Sequence, residues 1–160
     1  MLTLTHIARF LHDLAFTTWI GSMIFMMLVL TPAVGGKGIP PQFLRLMGIE
    51  RFKSWAWASI IILTVTGIYR LYGRFYQFDL FLMSRYGQLM TLKLVLFIIM
   101  VLLTAIVSLM YAKRIPMEAP QKPGEQPTAR FSQMQKRFIS FSAINLALGV
   151  AILFIMSILR

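Results

Sequence analysis

The fold is decided by residues 94–112, LVLFIIMVLLTAIVSLMYA, which directly follow Lys93. These residues carry no charge and are almost all apolar. A helix needs roughly 20 such residues to cross a bilayer. Because residues 86–92 extend the same helix on the other side of Lys93, the lysine lies inside a predicted membrane span. A charge within a span usually faces a protein interior and marks a functional site.

Three further apolar runs predict an all-α integral membrane protein. They are residues 14–36, 54–69 and 138–159. The chain is 58% hydrophobic, and its mean hydropathy is +0.75. We predict one domain, an antiparallel bundle of four transmembrane helices, with spans at about residues 5–33, 51–73, 86–113 and 129–159. We expect the first span to be mature structure rather than a signal peptide, since its apolar run is long and Asp13 precedes it.

The net charge is +11, and the basic residues lie mainly at the ends of the spans. Ten of the sixteen belong to the first and third loops: Lys37, Arg45, Arg51, Lys53, Lys113, Arg114, Lys122, Arg130, Lys136 and Arg137. The positive-inside rule therefore predicts that these loops are cytoplasmic and that both termini are on the outer side. The expected partner of this charge is the lipid bilayer rather than nucleic acid. Prolines in residues 115–128 predict a flexible link before the last span.

Alternating helix directions predict which polar residues share a depth. The first and third spans begin on the outer side, and the second span ends there. Lys93 then lies about 10 Å along the third span. His12, Asp13, Arg70 and Lys93 are therefore expected at one end of the bundle, whatever its absolute orientation.

Helical spacing refines the candidate site. Arg9 and Asp13 are four residues apart and can form an ion pair on one face. His6 and His12 point about 120° apart, so they cannot bind one metal ion together or sandwich one haem. The side chains that share a stripe with His12 are Phe16, Trp19 and Met23. The candidate metal ligands are His12 and His6, and the candidate supporting residues are Arg9, Asp13 and Met23.

Methionine and cysteine set limits on metal chemistry. The chain has no cysteine, which excludes thiolate sites and disulfides. It has twelve methionines, and Met23, Met26 and Met27 cluster in the first span. Thioethers suit Cu(I), although methionine is also a routine filler of apolar helices. Met23 is about 16 Å along the axis from His12, too far to bind the same ion.

Short motifs in each span resemble the copper-resistance protein D family. In the first span they are Leu11-His12, Trp19-Ile20-Gly21 and the apolar run closed by Pro32; later come Thr66-Gly67, Tyr86-Gly87, Leu92-Lys93-Leu94 and the arginines Arg130 and Arg137. The resemblance implies copper uptake or tolerance at the bacterial inner membrane, often beside a periplasmic copper-binding partner. It also implies that His12, Trp19 and Lys93 are functional positions.

The chain is more distantly similar to the membrane protoporphyrinogen oxidase family, which binds haem. In that alternative His12 would be an axial ligand of haem b, and Arg70 and Lys93 would meet the propionates. The protein would then be an oxidoreductase or an electron carrier beside respiratory-chain subunits. A structural subunit of a larger membrane complex is a third alternative. The sequence itself establishes no enzymatic activity. The candidate cofactor-binding residues are His12, Trp19, Arg70 and Lys93.

Overall fold

The computed structural model describes residues 3–30, 49–72, 83–111, 114–118 and 128–158. Within these ranges the chain forms five α-helices, and the first continues into a π-helical segment at Phe25–Leu30. The helices are α1 (Leu4–Ile24), α2 (Ile49–Tyr72), α3 (Arg85–Met110), the short α4 (Arg114–Glu118) and α5 (Ala129–Ile158).

Four of these helices are long and apolar enough to cross a membrane. The candidate spans are Leu4–Val29, Lys53–Tyr72, Arg85–Met110 and Ala129–Ile158. The prediction of an all-α protein with four spans is therefore confirmed, and no strand occurs in the described part of the chain. The predicted span ends at residues 31–33, 73, 112–113 and 159 lie outside the described residues. The sidedness of the termini stays a prediction.

Hydroxyl side chains cap the starts of α3 and α5. Ser84 precedes α3 and accepts a hydrogen bond from the backbone N–H of Gly87 at 3.0 Å. Thr128 precedes α5 and accepts from the N–H of Phe131 at 3.2 Å. Each cap satisfies one of the N–H groups that a helix start leaves without an intrahelical partner. The sequence thus fixes where both spans begin.

Contacts between the helices confirm the alternation of their directions. α1 packs along α2 and α5, and α3 packs along α5, whereas α2 and α3 make few direct contacts. His12 of α1 contacts Thr66 near the end of α2. Lys93 near the start of α3 contacts Met156 near the end of α5. We call this end of the bundle the His12 end and the opposite end the Met27 end.

The core lies midway along the bundle and takes residues from all four spanning helices, α1, α2, α3 and α5. Trp19, Met100 and Ile152 are its most deeply buried large side chains. A β-carbon at Gly149 of α5 would overlap Cδ1 of Ile20. The missing side chain at this glycine therefore lets α1 and α5 approach closely, as small residues do in membrane helix pairs.

A smaller apolar cluster lies at the Met27 end and involves α4. It consists of Tyr111, Ile115 and Phe131. The link predicted for residues 115–128 is therefore wrong at its beginning, because α4 forms there and buries Ile115. The rest of the link, residues 119–127, lies outside the described residues.

Most of the apolar surface of the spans faces outward. Only 17% to 28% of the most apolar window of each span is buried inside the bundle. So much exposed apolar surface is unstable in water but is well solvated by lipid chains. The fold is therefore that of a multi-pass membrane protein.

Candidate functional site

The candidate site is built on His12, whose ring is held by a hydrogen bond to α2. Nδ1 of His12 lies 2.7 Å from Oγ1 of Thr66. The same hydroxyl lies 2.6 Å from the carbonyl oxygen of Ile62. A hydroxyl has one proton, and two oxygens at that distance need a proton between them. Thr66 therefore donates to Ile62 and accepts from His12, which assigns the ring proton to Nδ1. Nε2 keeps its lone pair.

Gly67 of α2 lies next to this ring. A β-carbon at Gly67 would stand 3.7 Å from Cε1 of His12, which is ordinary contact distance. The adjacent pair Thr66-Gly67 thus lies against His12: the hydroxyl fixes the orientation of the ring, and the glycine lies in contact with it.

Nine of the described residues line a cavity of about 550 Å³ beside His12. α1 contributes His12, Asp13, Phe16 and Thr17, α3 contributes Lys93, and α5 contributes Ile152, Leu153, Met156 and Ser157. The cavity therefore places an imidazole, a carboxylate, an ammonium and a thioether around one space. These four groups differ in charge and softness, so the cavity can bind a small polar ligand or ion.

A second cavity, of about 140 Å³, lies on the other side of His12 and Lys93, between α2 and α3. Its walls are mainly apolar, and it adds Arg70 to the site. His12, Phe16, Lys93 and Ile152 line both cavities. Since α2 and α3 make few direct contacts, this cavity is the gap between them.

Lys93 has an unusual partner. Its Nζ lies 2.9 Å from Sδ of Met156. In the described ranges the ion pair within 4 Å is Arg130–Glu118, and Lys93 forms none. A neutral thioether does not offset the positive charge of an ammonium. That charge attracts anions and opposes cations unless Asp13 balances it.

The structure brings together the four residues that helix alternation predicted. His12, Asp13 and Lys93 line the larger cavity, and His12, Arg70 and Lys93 line the smaller one. The shared depth of these residues is confirmed, whereas their role in binding stays a prediction.

The other candidate residues lie elsewhere. The predicted Arg9–Asp13 pair is not formed, and both side chains are exposed. His6 is exposed and hydrogen-bonded to Thr3 at the start of α1. Trp19 is 1% exposed and packs edge-on against Phe97, with ring centroids 6.3 Å apart. It therefore belongs to the core rather than to the walls of the two cavities.

Met23 is also buried, and it lines a different cavity towards the Met27 end. It therefore does not support His12, in agreement with the axial distance predicted between them. The stripe of His12, Phe16, Trp19 and Met23 is the inward face of α1, because all four side chains are buried or partly buried.

Sequence reasoning missed two functional candidates, Thr66 as the partner of His12 and Met156 as the partner of Lys93. Alternation alone places the end of α5 at the depth of Lys93. It would have pointed to the outer part of the last span, where Met156 and Ser157 follow each other. The pairing of Thr66 with His12 had no such signal, since it requires knowing that α1 packs along α2.

The donor set does not suit a hard metal ion. Among the residues with described side chains, no group of three or more His, Cys, Asp or Glu could hold a metal. The donors at hand are one imidazole, one thioether and one carboxylate, a mixture that favours soft or borderline ions such as copper.

Comparison with known proteins identifies the family to which the chain belongs. The model of the family described as copper resistance protein D matches residues 47–159, more than two thirds of the chain. The matched part includes Arg70, Lys93 and Met156, and helix α1 with His12 lies before it. No curated protein and no solved structure matches the chain.

Proposed function

Because the chain belongs to the copper resistance protein D family, we propose that it handles copper, in uptake or tolerance, at the bacterial inner membrane. The copper ion is the cargo of this site. It enters the larger cavity at the His12 end and is bound there by the imidazole of His12. A periplasmic copper-binding protein is the proposed source or acceptor of the ion.

The observation that carries this proposal is the fixed ring of His12. A metal-binding histidine typically donates its other ring N–H to a neighbouring acceptor, which sets the tautomer and the ring orientation. His12 has this arrangement, since Nδ1 donates to Thr66 at 2.7 Å and leaves Nε2 available. A neutral imidazole nitrogen is a suitable ligand for copper.

Met156 and Asp13 complete the proposed site from the cavity walls. The Sδ of Met156 is a soft donor suited to Cu(I). The carboxylate of Asp13 lowers the electrostatic cost of bringing a cation beside Lys93.

Lys93 and Arg70 set the strength of binding in this proposal. Two positive side chains beside the ligand weaken the binding of a cation. A transported ion must bind well enough to enter and weakly enough to leave. The charges therefore favour a transit site over a storage site. Lys93 also contacts Met156, so an arriving copper ion and the ammonium compete for one sulfur.

The test is the metal content and the absorption spectrum of the purified full-length protein. We expect copper in the wild type and the loss of one equivalent in His12→Ala. His6→Ala is the matched control, because His6 is the other histidine and is hydrogen-bonded to Thr3 at the start of α1. Equal copper in His12→Ala and the wild type contradicts the proposal.

The same samples distinguish the other functions. A Soret band in the wild type that disappears in His12→Ala would show that His12 binds haem rather than copper. If the purified protein contains neither copper nor a chromophore, the result favours a structural subunit of a larger membrane complex.

A further inference from the structure

A third cavity, lined by methionines, lies towards the Met27 end of the bundle. Its volume is about 60 Å³. Three methionines of the first span line it together: Met23, Met26 and Met27. Opposite them are the polar side chains of Thr104, Ser108 and Asn145 on α3 and α5. The walls of this small cavity thus include three methionine side chains and one amide.

Asn145 gives this cavity an unsatisfied acceptor. Its Nδ2 donates to Oγ1 of Thr104 at 2.9 Å, and that hydroxyl donates to the carbonyl oxygen of Met100 at 2.9 Å. Because Thr104 has already given its single proton, Nδ2 rather than Oδ1 must face it. Oδ1 of Asn145 is buried and has no hydrogen-bond partner among the described residues, and the residue is only 4% exposed. A buried acceptor of this kind calls for a donor or a cation.

The backbone of the methionine segment is also unusual. Met26 and Met27 lie in the π-helical segment that continues α1. Such segments are rare, and they occur frequently at functional sites.

The size and charge of the cavity limit what can occupy it. Pockets for organic ligands are typically about 300–1,000 Å³, so a cavity of about 60 Å³ admits an ion or one or two water molecules. Among the described residues that line the cavity there is no carboxylate, and one of them is Lys53. A divalent ion would therefore remain uncompensated, whereas a monovalent soft ion suits neutral thioethers.

We propose that this cavity is a Cu(I) site, with Met23, Met26 and Met27 as thioether ligands and Oδ1 of Asn145 directed towards the ion. Met23 lies eleven residues after His12, about 16 Å along the helix axis. The site is therefore separate from the cavity at His12 and has its own donors. The two sites stand at successive depths of one bundle, and this second site is argued from its donors whether or not His12 binds copper.

The experiment uses the full-length protein in lipid nanodiscs without oxygen. Cu(I) is titrated against a colorimetric Cu(I) chelator, and X-ray absorption reports the atoms bound to copper. The test variant replaces Met23, Met26 and Met27 by leucine, which conserves core volume. The matched control is Met110→Leu on α3, a methionine that is exposed on the bundle surface.

We expect the wild type and Met110→Leu to bind one Cu(I) through sulfur alone. The triple variant should lose this equivalent, with affinity falling by about 100-fold or more, since substitutions next to the ligands of a metal already cost roughly 10–100-fold. His12→Ala should keep the sulfur-bound Cu(I), which separates this site from the first.

Two results would overturn the proposal. The first is sulfur-bound Cu(I) of wild-type affinity in the triple variant. The second is a wild type with no copper bound through sulfur alone, which would leave the cavity to water. If the triple variant does not fold, Met23→Leu and Met27→Leu are compared singly, and unchanged affinity in both overturns the proposal equally.

Discussion

The substitution Thr66→Val isolates the hydrogen bond that orients His12. Valine has the shape of threonine but no hydroxyl, so Nδ1 of His12 loses the acceptor that lies 2.7 Å away. Hydrogen bonds between membrane helices contribute about 0.6 kcal/mol on average and up to about 1.7 kcal/mol. We therefore expect a loss of folding stability of about 1 kcal/mol. The effect on copper should be larger, a roughly 10–100-fold fall in affinity, because the ring loses both its tautomer and its orientation.

The assay compares Cu(I) affinity and thermal unfolding for the wild type and three variants. Thr66→Ser keeps the hydroxyl and should restore most of the affinity. Thr91→Val is the matched control, because its hydroxyl also bonds to the carbonyl four residues before it, at 2.9 Å, without touching a histidine. The reasoning is refuted if Thr66→Val binds copper as the wild type does, or if Thr91→Val loses as much affinity.

Two further predictions concern the bundle itself. Lys93→Leu should still insert and fold, with higher thermal stability. A lysine within a span costs about 2.5–3.5 kcal/mol, and the contact of Lys93 is a thioether, that of Met156. Complete loss of inserted protein would mean that the lysine is structural. Gly149→Ala should destabilise the protein by about 1 kcal/mol, the low end of overpacking costs, because the overlapped atom is the terminal Cδ1 of Ile20, which can rotate away. In the same unfolding assay Gly21→Ala, where a β-carbon meets nothing within 4 Å, should be neutral or stabilising, and equal effects at both glycines would contradict the packing described.

The number of spans and the depth of the polar residues could be predicted because both depend on local properties. Apolar length gives the spans, and alternation of direction gives the end at which His12, Arg70 and Lys93 meet. Neither inference needs to know which helices are neighbours. The family resemblance of the second to fourth spans was likewise carried by short local motifs, and it is confirmed for residues 47–159.

The partners within the site could not be predicted, because they depend on helix packing. Periodicity shows that Trp19 and His12 share a face of α1, but it does not show that Trp19 meets Phe97 in the core while His12 meets Thr66. Those neighbours follow from the core that α1 shares with α3 and from the contact of α1 with α2.

The spacing of Arg9 and Asp13 permits an ion pair, but the pair does not form. Both side chains are exposed, where ion pairs contribute little. Spacing alone therefore could not decide between an ion pair and two separate charges.

The methionines also show what the sequence alone could not decide. Their clustering in the first span was visible in the sequence, but it could not be distinguished from ordinary core filling. The observations that favour a binding site are the cavity beside them and Oδ1 of Asn145, which has no partner among the described residues and lies more than a hundred residues away along the chain.

The most direct test of copper binding at His12 is nitrogen NMR of the protein labelled with ¹⁵N-histidine. The chain has two histidines, so the His6→Gln variant assigns both sets of signals. Before copper is added, His12 should carry its proton on Nδ1. On addition of Cu(I), the signal of Nε2 should shift while Nδ1 stays protonated. A His12 ring protonated on Nε2, or a spectrum that Cu(I) leaves unchanged at His12, would contradict the proposed site.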